Sequence, residues 1–219
     1  MASVWALGRV LNVEVPKTIK VVAKGRFGRY VLPKDCILYL IGKISAEGAN
    51  YKVLEYHGPA IQKMPTSGRL TVANMSVEAG ATSGIFPPDK ETLRYLKEEA
   101  KVKGPVDVFG PDPDAEYDQV VEINISELEP QVACPHTVDN VKPVNQVGRV
   151  RVDQIVIGSC TNGRLDDLSI AARILKGKKI AKGVRMLVFP ASFRIYQQAL
   201  QLGYLADFIK AGAVVMNPG

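Results

Sequence analysis

The pattern of apolar and polar positions is clearest in the last third of the chain, where it predicts strands that alternate with helices. Runs rich in valine, isoleucine and leucine predict three strands, at 151–157, 184–189 and 213–216. Helical spacing of apolar residues predicts helices between them, at 165–175, 192–202 and 207–211. Strands that alternate with helices pair in parallel through right-handed crossovers. We therefore predict an α/β fold with mainly parallel sheets.

The first two thirds of the chain carry the same signals, separated by segments rich in turn-forming residues. Strands are predicted at 18–23, 52–56 and 119–125, and helices at 33–41 and 89–99. A further helix is predicted from Leu70 to Ala81, because small and apolar residues recur there at helical spacing, with Ser67 or Thr71 as its cap. Segment 104–118 is predicted as a turn-rich connection, and segment 129–147, with three prolines, as an extended linker between domains.

The composition is that of a folded globular protein. The chain has 219 residues, of which 47% are hydrophobic and 23% charged, and this balance excludes disordered and fibrous classes. It has no uninterrupted apolar run of about 18 residues that could span a membrane, and its first residues, MASVWALGRV, lack the regions of a signal peptide. The net charge is +6. The densest basic cluster, at 176–185, has no interleaved aromatic residues, so a solvated helix end is favoured over a nucleic-acid patch.

The three cysteines form neither a disulfide framework nor a CxxC metal site, because they are odd in number and widely spaced. This usage predicts a reducing, cytoplasmic setting. Two histidines are too few for a His-rich metal site. Cys36 lies in an apolar helical run and is predicted to be packed in the core, and Cys134 in the proline-rich segment is also predicted to be structural.

The strongest candidate for chemistry is the sequence GSCTNGR at 158–164, directly after a predicted strand and before a predicted helix. Ligands of open α/β sheets bind beyond the carboxyl ends of the strands. The N-terminus of the following helix offers N–H groups and a positive dipole, which favour a thiolate. Cys160 is therefore predicted to be a nucleophile or a metal ligand, with a small buried apolar residue as the alternative.

A second candidate is the sequence NMSVEAGATSG at 74–84. Glu78 follows Asn74 by four residues, so a helix would place both on one face. That face is otherwise small and apolar, where an unpaired carboxylate is costly, and this raises the value of Glu78 as a site residue. A solvent-exposed helical glutamate is an equally good interpretation of the pattern alone.

With these two motifs the chain resembles the aconitase superfamily of iron–sulfur hydro-lyases, and within it the archaeal or homoaconitase-like branch of isopropylmalate dehydratase large subunits. The resemblance runs through PKDCILYLIGKI, VLEYHGPAI, ANMSVEAGATSGIFPPD, IGSCTNGRLDDLSIAARILKGKKIAKGVR and VFPAS. It implies aconitase-like three-layer α/β/α domains. Residues 1–44 would be the tail of domain 1, residues 45–130 domain 2, and residues 131–219 a linker and the first part of domain 3.

The resemblance also implies a cofactor and roles for particular residues. Members of the superfamily hold a [4Fe-4S] cluster with three cysteines, and one iron acts as a Lewis acid on the substrate hydroxyl and carboxylate. Cys160 matches the first cluster cysteine, Glu78 matches the active-site glutamate, and Asn74 matches an asparagine near the cluster. The residues expected to orient Cys160 are Ser159, Thr161 and Asn162.

The chain departs from the family pattern at its end. The second and third cluster cysteines are expected in a CxxC after V-x-N-P, and the chain reaches Val215-Met216-Asn217-Pro218-Gly219 there. We therefore expect this chain to be a central fragment that alone holds no complete cluster and is inactive. In isopropylmalate dehydratases the proton-abstracting serine belongs to a swivel domain on a separate small subunit, which is the expected partner.

The reaction implied by the resemblance converts 2-isopropylmalate to 3-isopropylmalate by dehydration and rehydration, a step of leucine biosynthesis. The substrate class is a small anionic 2-hydroxy diacid. The alternatives are a homoaconitase of lysine biosynthesis, an aconitase-type hydratase, and a cluster-free module that binds RNA. A Rossmann-type nucleotide binder is disfavoured, because GSCTNGR stands where the glycine fingerprint would be.

Overall fold

The computed structural model of the protein describes residues 6–8 and 14–218. The strands are β1 (Lys17–Lys24), β2 (Lys52–His57), β3 (Ser83–Ile85), β4 (Gln119–Asn124), β5 (Gln131–Ala133), β6 (Val141–Pro143), β7 (Gln154–Ile157), β8 (Arg185–Val188) and β9 (Val214–Val215). The α-helices are α1 (Pro33–Ile44), α2 (Pro59–Gln62), α3 (Thr66–Met75), α4 (Lys90–Glu98), α5 (Leu165–Leu175), α6 (Phe193–Gln201) and α7 (Tyr204–Ala211). The prediction that MASVWALGRV is not a signal peptide concerns residues that lie largely outside the described ranges.

Two parallel sheets, each with its own apolar core, confirm the predicted α/β class. One sheet has the strand order β3-β2-β1-β4, and the other has the order β7-β8-β9. The first core joins α1 and α3 to the first sheet, and the second joins α5, α6 and α7 to the second sheet. We call residues 14–147 the N-terminal unit and residues 148–218 the C-terminal unit.

The sheet of the C-terminal unit is open on the side away from its core. Val156, Leu187 and Val214 are in register across its three strands, so their side chains share one face. Val156 and Val214 are each about half exposed. Within the described residues, no helix covers this face at Val156 and Val214. The implied three-layer arrangement is therefore incomplete there.

Residue 44, where a boundary between domains is predicted, lies inside the N-terminal unit. Strand β1 precedes that residue and is a central strand, paired in parallel with β2 on one side and β4 on the other. Apolar residues of α1 and β2 also share one core cluster. The segments before and after residue 44 therefore form one sheet and one core.

The helix predicted from Leu70 to Ala81 is wrong in its extent, its cap and its buried face. Helix α3 ends at Met75, its cap position is Pro65, and a single 3-10 turn follows over Ser76–Ala79. Gly80 adopts a left-handed φ of 81° and turns the chain back towards β3, which stops the helix.

The buried face of α3 combines the apolar residues Val72 and Met75 with small and polar ones, and it excludes Leu70 of the expected set. Leu70 is 37% exposed, whereas Gly68, Thr71, Val72 and Met75 are buried. A Cβ added to Gly68 would lie 2.5 Å from Pro33 Cγ, so a glycine is required where α3 approaches the start of α1. Close approach between helices therefore selects residues that an apolar periodicity does not recognise.

The predicted linker at 129–147 is instead a hairpin bound to α1. Strands β5 and β6 pair antiparallel. The backbone N–H of Gln131 donates to Asp35 Oδ1 at 2.6 Å, and that of Ala46 donates to Asp139 Oδ2 at 3.1 Å. Two carboxylates thus fix this proline-rich segment at both ends of α1, and the prediction of an extended linker is wrong.

The remaining predicted strands and helices are confirmed, with shifts of a few residues at their ends. Asp89 caps α4 by accepting hydrogen bonds from the N–H groups of Glu91 and Thr92, and Ser192 caps α6 in the same way. The short helix predicted from Asp207 begins earlier, at Tyr204, directly after Gly203. No helix within residues 6–8 and 14–218 has the length and apolar character needed to cross a bilayer.

The position of α3 depends on the buried side chain of Arg69. Its guanidinium forms a bidentate salt bridge with the carboxylate of Asp89, and both N–O distances are 2.7 Å. The other acceptors of the guanidinium are the carbonyl oxygens of Ile61, Gln62 and Met64 and the hydroxyl of Thr92. A buried charge is tolerated when it is paired and its donors are satisfied, and this one joins α2, α3 and α4.

We expect Arg69→Lys to lower the free energy of unfolding by about 2 kcal/mol, because an ammonium group cannot replace the planar fork of donors. Urea unfolding followed by circular dichroism measures the change. Arg94→Lys is the matched control, since Arg94 pairs with three glutamates at the exposed surface of α4. Equal shifts of the urea midpoint in both variants would contradict the importance of the buried pair.

We also expect acid to weaken the N-terminal unit through Glu91. Arg94 and hydrogen bonds from Thr66 lower the pKa of the Glu91 carboxyl to about 2. A carboxyl whose pKa is lower in the folded state stabilises the fold above its unfolded pKa, and this stability is lost as pH falls through the folded pKa. The urea midpoint should therefore fall between about pH 4.5 and about pH 2. Glu91→Gln should flatten part of this fall, and an unchanged pH profile in that variant would contradict it.

Candidate functional site

The GSCTNGR loop (residues 158–164) occupies the connection between β7 and α5, at the carboxyl end of a parallel strand, as predicted. Its two glycines have left-handed φ angles, 85° at Gly158 and 89° at Gly163. A Cβ at either position would collide with the carbonyl oxygen of Phe189. The loop thus requires both glycines to lie close to the end of β8.

Hydrogen bonds within the loop present Cys160 to solvent. The N–H of Ser159 donates to the carbonyl of Asn162 at 3.2 Å, and the N–H of Thr161 donates to Ser159 Oγ at 3.2 Å. Cys160 is exposed, and its nearest polar partner is Thr161 Oγ1 at 3.9 Å from Sγ. The alternative of a small buried apolar residue is therefore wrong for Cys160.

The start of α5 is capped by a carboxylate that the sequence analysis did not single out. Asp167 Oδ2 accepts hydrogen bonds from the N–H groups of Gly163 and Arg164, both at 3.0 Å. Asp167 stands three residues after Arg164, the position from which an acidic side chain reaches back to a helix start. Two of the N–H groups at this helix start, which were expected to favour a thiolate at Cys160, are therefore already bound to Asp167.

The loop is joined to α3 of the N-terminal unit by side-chain hydrogen bonds. Thr161 Oγ1 donates to Asn74 Oδ1 at 2.7 Å. Thr71 Oγ1 lies 3.2 Å from the carbonyl oxygen of Thr161 and 3.4 Å from Asn162 Nδ2. The two motifs that the sequence singled out therefore meet in the structure, through residues 87 positions apart.

Ser67 and Asp166 add a further contact between the units. Ser67 Oγ donates to Asp166 Oδ2 at 2.7 Å. A cavity of about 410 Å³ lies beside this contact, with Thr71, Asn162 and Asp167 among its polar lining and Phe27 and Ile157 among its apolar lining. The hydrogen bonds of α3 to the GSCTNGR loop thus border an opening between the two units.

Glu78 lies on the 3-10 turn after α3, not on the α-helix that the spacing predicted. Its side chain is exposed, and it forms no hydrogen bond with another described residue. The argument that Asn74 and Glu78 share a helical face is wrong, because the helix ends between them. Asn74 contacts the GSCTNGR loop through Thr161, and within the described residues no hydrogen bond joins Glu78 to that loop.

The other two cysteines lie in the N-terminal unit, outside the GSCTNGR loop. Cys36 is 1% exposed within the first core, and burial raises the pKa of its thiol to about 12. Cys134 is half-buried beside strand β5, and its N–H donates to the carbonyl of Asn140. Within the described residues, no group of three or more His, Cys, Asp and Glu side chains has the arrangement of a metal site.

Sequence reasoning missed Thr71, Asp166 and Asp167 as site residues. Thr71 was predicted only as a possible cap, although it precedes Asn74 by one turn of the same helix. Asp167 could have been found from its position three residues into α5. The contact of Ser67 with Asp166 has no local sequence signal, because its partners lie 99 residues apart.

Comparison with known proteins finds relatives that match along nearly the whole chain. The family model described as the aconitase family (aconitate hydratase) matches residues 2–149 and 142–219. The 3-isopropylmalate dehydratase large subunit of Caldanaerobacter subterraneus subsp. tengcongensis is 49% identical over 218 residues, 100% of this chain and 51% of that protein. The probable 3-isopropylmalate dehydratase large subunit of Methanothermobacter thermautotrophicus is 46% identical, with the same two coverages.

Among solved structures, the holo-form of Thermococcus kodakaraensis aconitase X aligns with a TM-score of 0.52 at 14% identity. The alignment covers 93% of this chain and 44% of that chain, and at this identity it shows a shared fold alone. The chain spans about half the length of the curated relatives that it matches. Because the family model covers nearly every residue, the chain belongs to the aconitase family.

Proposed function

We propose that this chain forms the central part of the large subunit of an iron–sulfur hydro-lyase that converts 2-isopropylmalate to 3-isopropylmalate. The observation that carries the proposal is the hydrogen bond of 2.7 Å from Thr161 to Asn74, because it joins the loop of Cys160 to the motif of Glu78. Relatives named as 3-isopropylmalate dehydratase large subunits, 46–49% identical over the whole chain, support the choice of reaction.

Cys160 is the residue of this chain that fits a cluster ligand. It is exposed at the carboxyl end of a parallel strand, and its loop is closed by internal hydrogen bonds. Cys36 is buried in the core and Cys134 belongs to the hairpin on α1, so neither fits the same site. The chain therefore fits one of the three thiolate positions that a [4Fe-4S] cluster of this family uses. When bound, such a cluster supplies a Lewis-acidic iron for a substrate hydroxyl and carboxylate.

The other proposed site residues have separate tasks. Asn74 and Thr161 hold the loop to α3, while Ser159 and Asn162 close the loop around Cys160. Glu78 is proposed to hold or move a proton at the substrate hydroxyl, since its carboxylate is exposed and not engaged by another described side chain.

The proposal includes a partner, a substrate class and a setting. A small subunit with the swivel domain is the proposed partner, and leucine biosynthesis is the proposed pathway. The substrate class is an anionic 2-hydroxy diacid; homocitrate-type acids are the competing choice within that class. The three free cysteines suit the reducing cytoplasm.

We expect Cys160→Ser to abolish the cluster in a complete large subunit that carries this chain together with the CxxC cysteines. A serine hydroxyl is a poor replacement for a thiolate ligand. Anaerobic reconstitution, followed by iron and sulfide analysis and by EPR of the oxidised protein, measures the loss. Cys134→Ser is the matched control and should retain the iron content of the parent. Full iron content in Cys160→Ser would contradict the ligand assignment.

We expect Glu78→Gln to reduce kcat by about a hundredfold, the size of a typical acid–base contribution, while the iron content stays at the parent level. Glu129→Gln is the control, because Glu129 is also exposed but lies beside the hairpin on α1. Turnover with 2-isopropylmalate, measured with the small subunit present, tests the role. Equal turnover in Glu78→Gln and Glu129→Gln would remove Glu78 from the site.

A further inference from the structure

We propose that Thr71 is a positioning residue for Cys160, and that it acts by fixing the two residues that follow the cysteine to helix α3. The inference rests on the proposed function only where it treats Cys160 as a cluster ligand. Its physical basis is the set of contacts made by one buried hydroxyl.

Thr71 is 3% exposed, so its hydroxyl is largely removed from bulk water. The hydroxyl hydrogen has two carbonyl acceptors within reach, Thr161 at 3.2 Å and Ser67 at 3.3 Å. Ser67 lies one turn earlier on α3, a common bond for a helical threonine. The single hydroxyl hydrogen is shared between these two acceptors, and the contact to Thr161 crosses to the C-terminal unit.

The oxygen of the same hydroxyl accepts from the side chain of Asn162. Asn162 Nδ2 lies 3.4 Å from Thr71 Oγ1 and also 3.4 Å from the nearer carboxylate oxygen of Asp167. Because a carboxylate oxygen only accepts, the amide nitrogen of Asn162 must face Asp167 and Thr71. A continuous chain of polar contacts therefore runs from α3 through Asn162 to the start of α5.

Thr71 and Asn74 are three residues apart, so they lie on neighbouring turns of one face of α3. Asn74 binds the Thr161 side chain, and Thr71 contacts the Thr161 carbonyl and the Asn162 amide. The two residues directly after Cys160 are thus bound from two positions on a single helix. Movement of the loop would break both contacts, which is why Thr71 restricts where the thiol lies.

Hydrogen exchange of the chain itself tests this role without a cluster. Thr71→Val keeps the shape of the side chain and removes the hydroxyl, so we expect the peptide at 156–164 to exchange about fivefold faster. Thr71→Ser restores the hydroxyl and should exchange at the parent rate. Thr66→Val is the matched control, because it removes a hydroxyl of α3 that bonds Glu91 rather than the loop. Strand β8 serves as the reference peptide in every variant.

The proposal is overturned if Thr71→Val leaves exchange of the loop unchanged, or if Thr71→Ser exchanges as fast as Thr71→Val. If hydrogen exchange of the β8 peptide is also faster in Thr71→Val, Asn162→Ala becomes the test variant. It removes the Asn162 side of the contact with Thr71 and leaves α3 intact. Faster loop exchange in Asn162→Ala with unchanged β8 supports the proposal, and unchanged loop exchange overturns it.

A second measurement connects Thr71 to the ligand. In the complete large subunit, Thr71→Val should shorten the half-life of the reconstituted cluster in air about fivefold, and Thr71→Ser should not. The decay of the cluster's visible absorbance gives the rate. If the parent subunit holds no cluster, the proposed function fails, whereas the hydrogen-exchange result still decides whether Thr71 orders the loop.

Discussion

The arrangement of the N-terminal unit depends on the buried guanidinium of Arg69. A buried guanidinium requires a partner for its charge and acceptors for its N–H groups. Arg69 meets that requirement with Asp89 and with the carbonyls at the end of α2. This fixes α3 relative to the elements on both sides of it. The same helix carries Thr71 and Asn74, so a structural ion pair sets the position from which the GSCTNGR loop is bound.

The candidate site belongs to neither unit alone. The loop is shaped within the C-terminal unit by Gly158, Gly163 and the cap formed by Asp167. Its orientation towards the rest of the protein comes from hydrogen bonds to α3 of the other unit. Cys160 is exposed while the loop residues that follow it are hydrogen-bonded to both units, an arrangement that combines access for a ligand with an ordered loop.

Sequence reasoning located most strands and helices because their apolar periodicity is local. It failed on α3, because Gly68, Arg69 and Thr71 are also buried there and an apolar pattern cannot identify them. It also failed on the hairpin at 129–147, because prolines suggested an extended linker and the carboxylates of Asp35 and Asp139 that bind it are distant in sequence. The candidate site shows the same division: motifs singled out the loop of Cys160 and the segment of Asn74, which a hydrogen bond joins, while the contacts of Thr71 and Asp167 were not predicted.

The sequence by itself determined the class of the fold, the position of the GSCTNGR loop between a strand and a helix, and the resemblance that places the chain in the aconitase family. These properties depend on periodicity, glycine positions and short motifs, all of which are local in the chain. Only the tertiary structure decided that α3 ends before Glu78, that Cys160 faces solvent, and that Thr71 contacts the loop. The left-handed turn at Gly80 ends α3, and hydrogen bonds within the loop expose Cys160. The contacts of Thr71 join residues as many as 91 positions apart and exist only after the two units pack together.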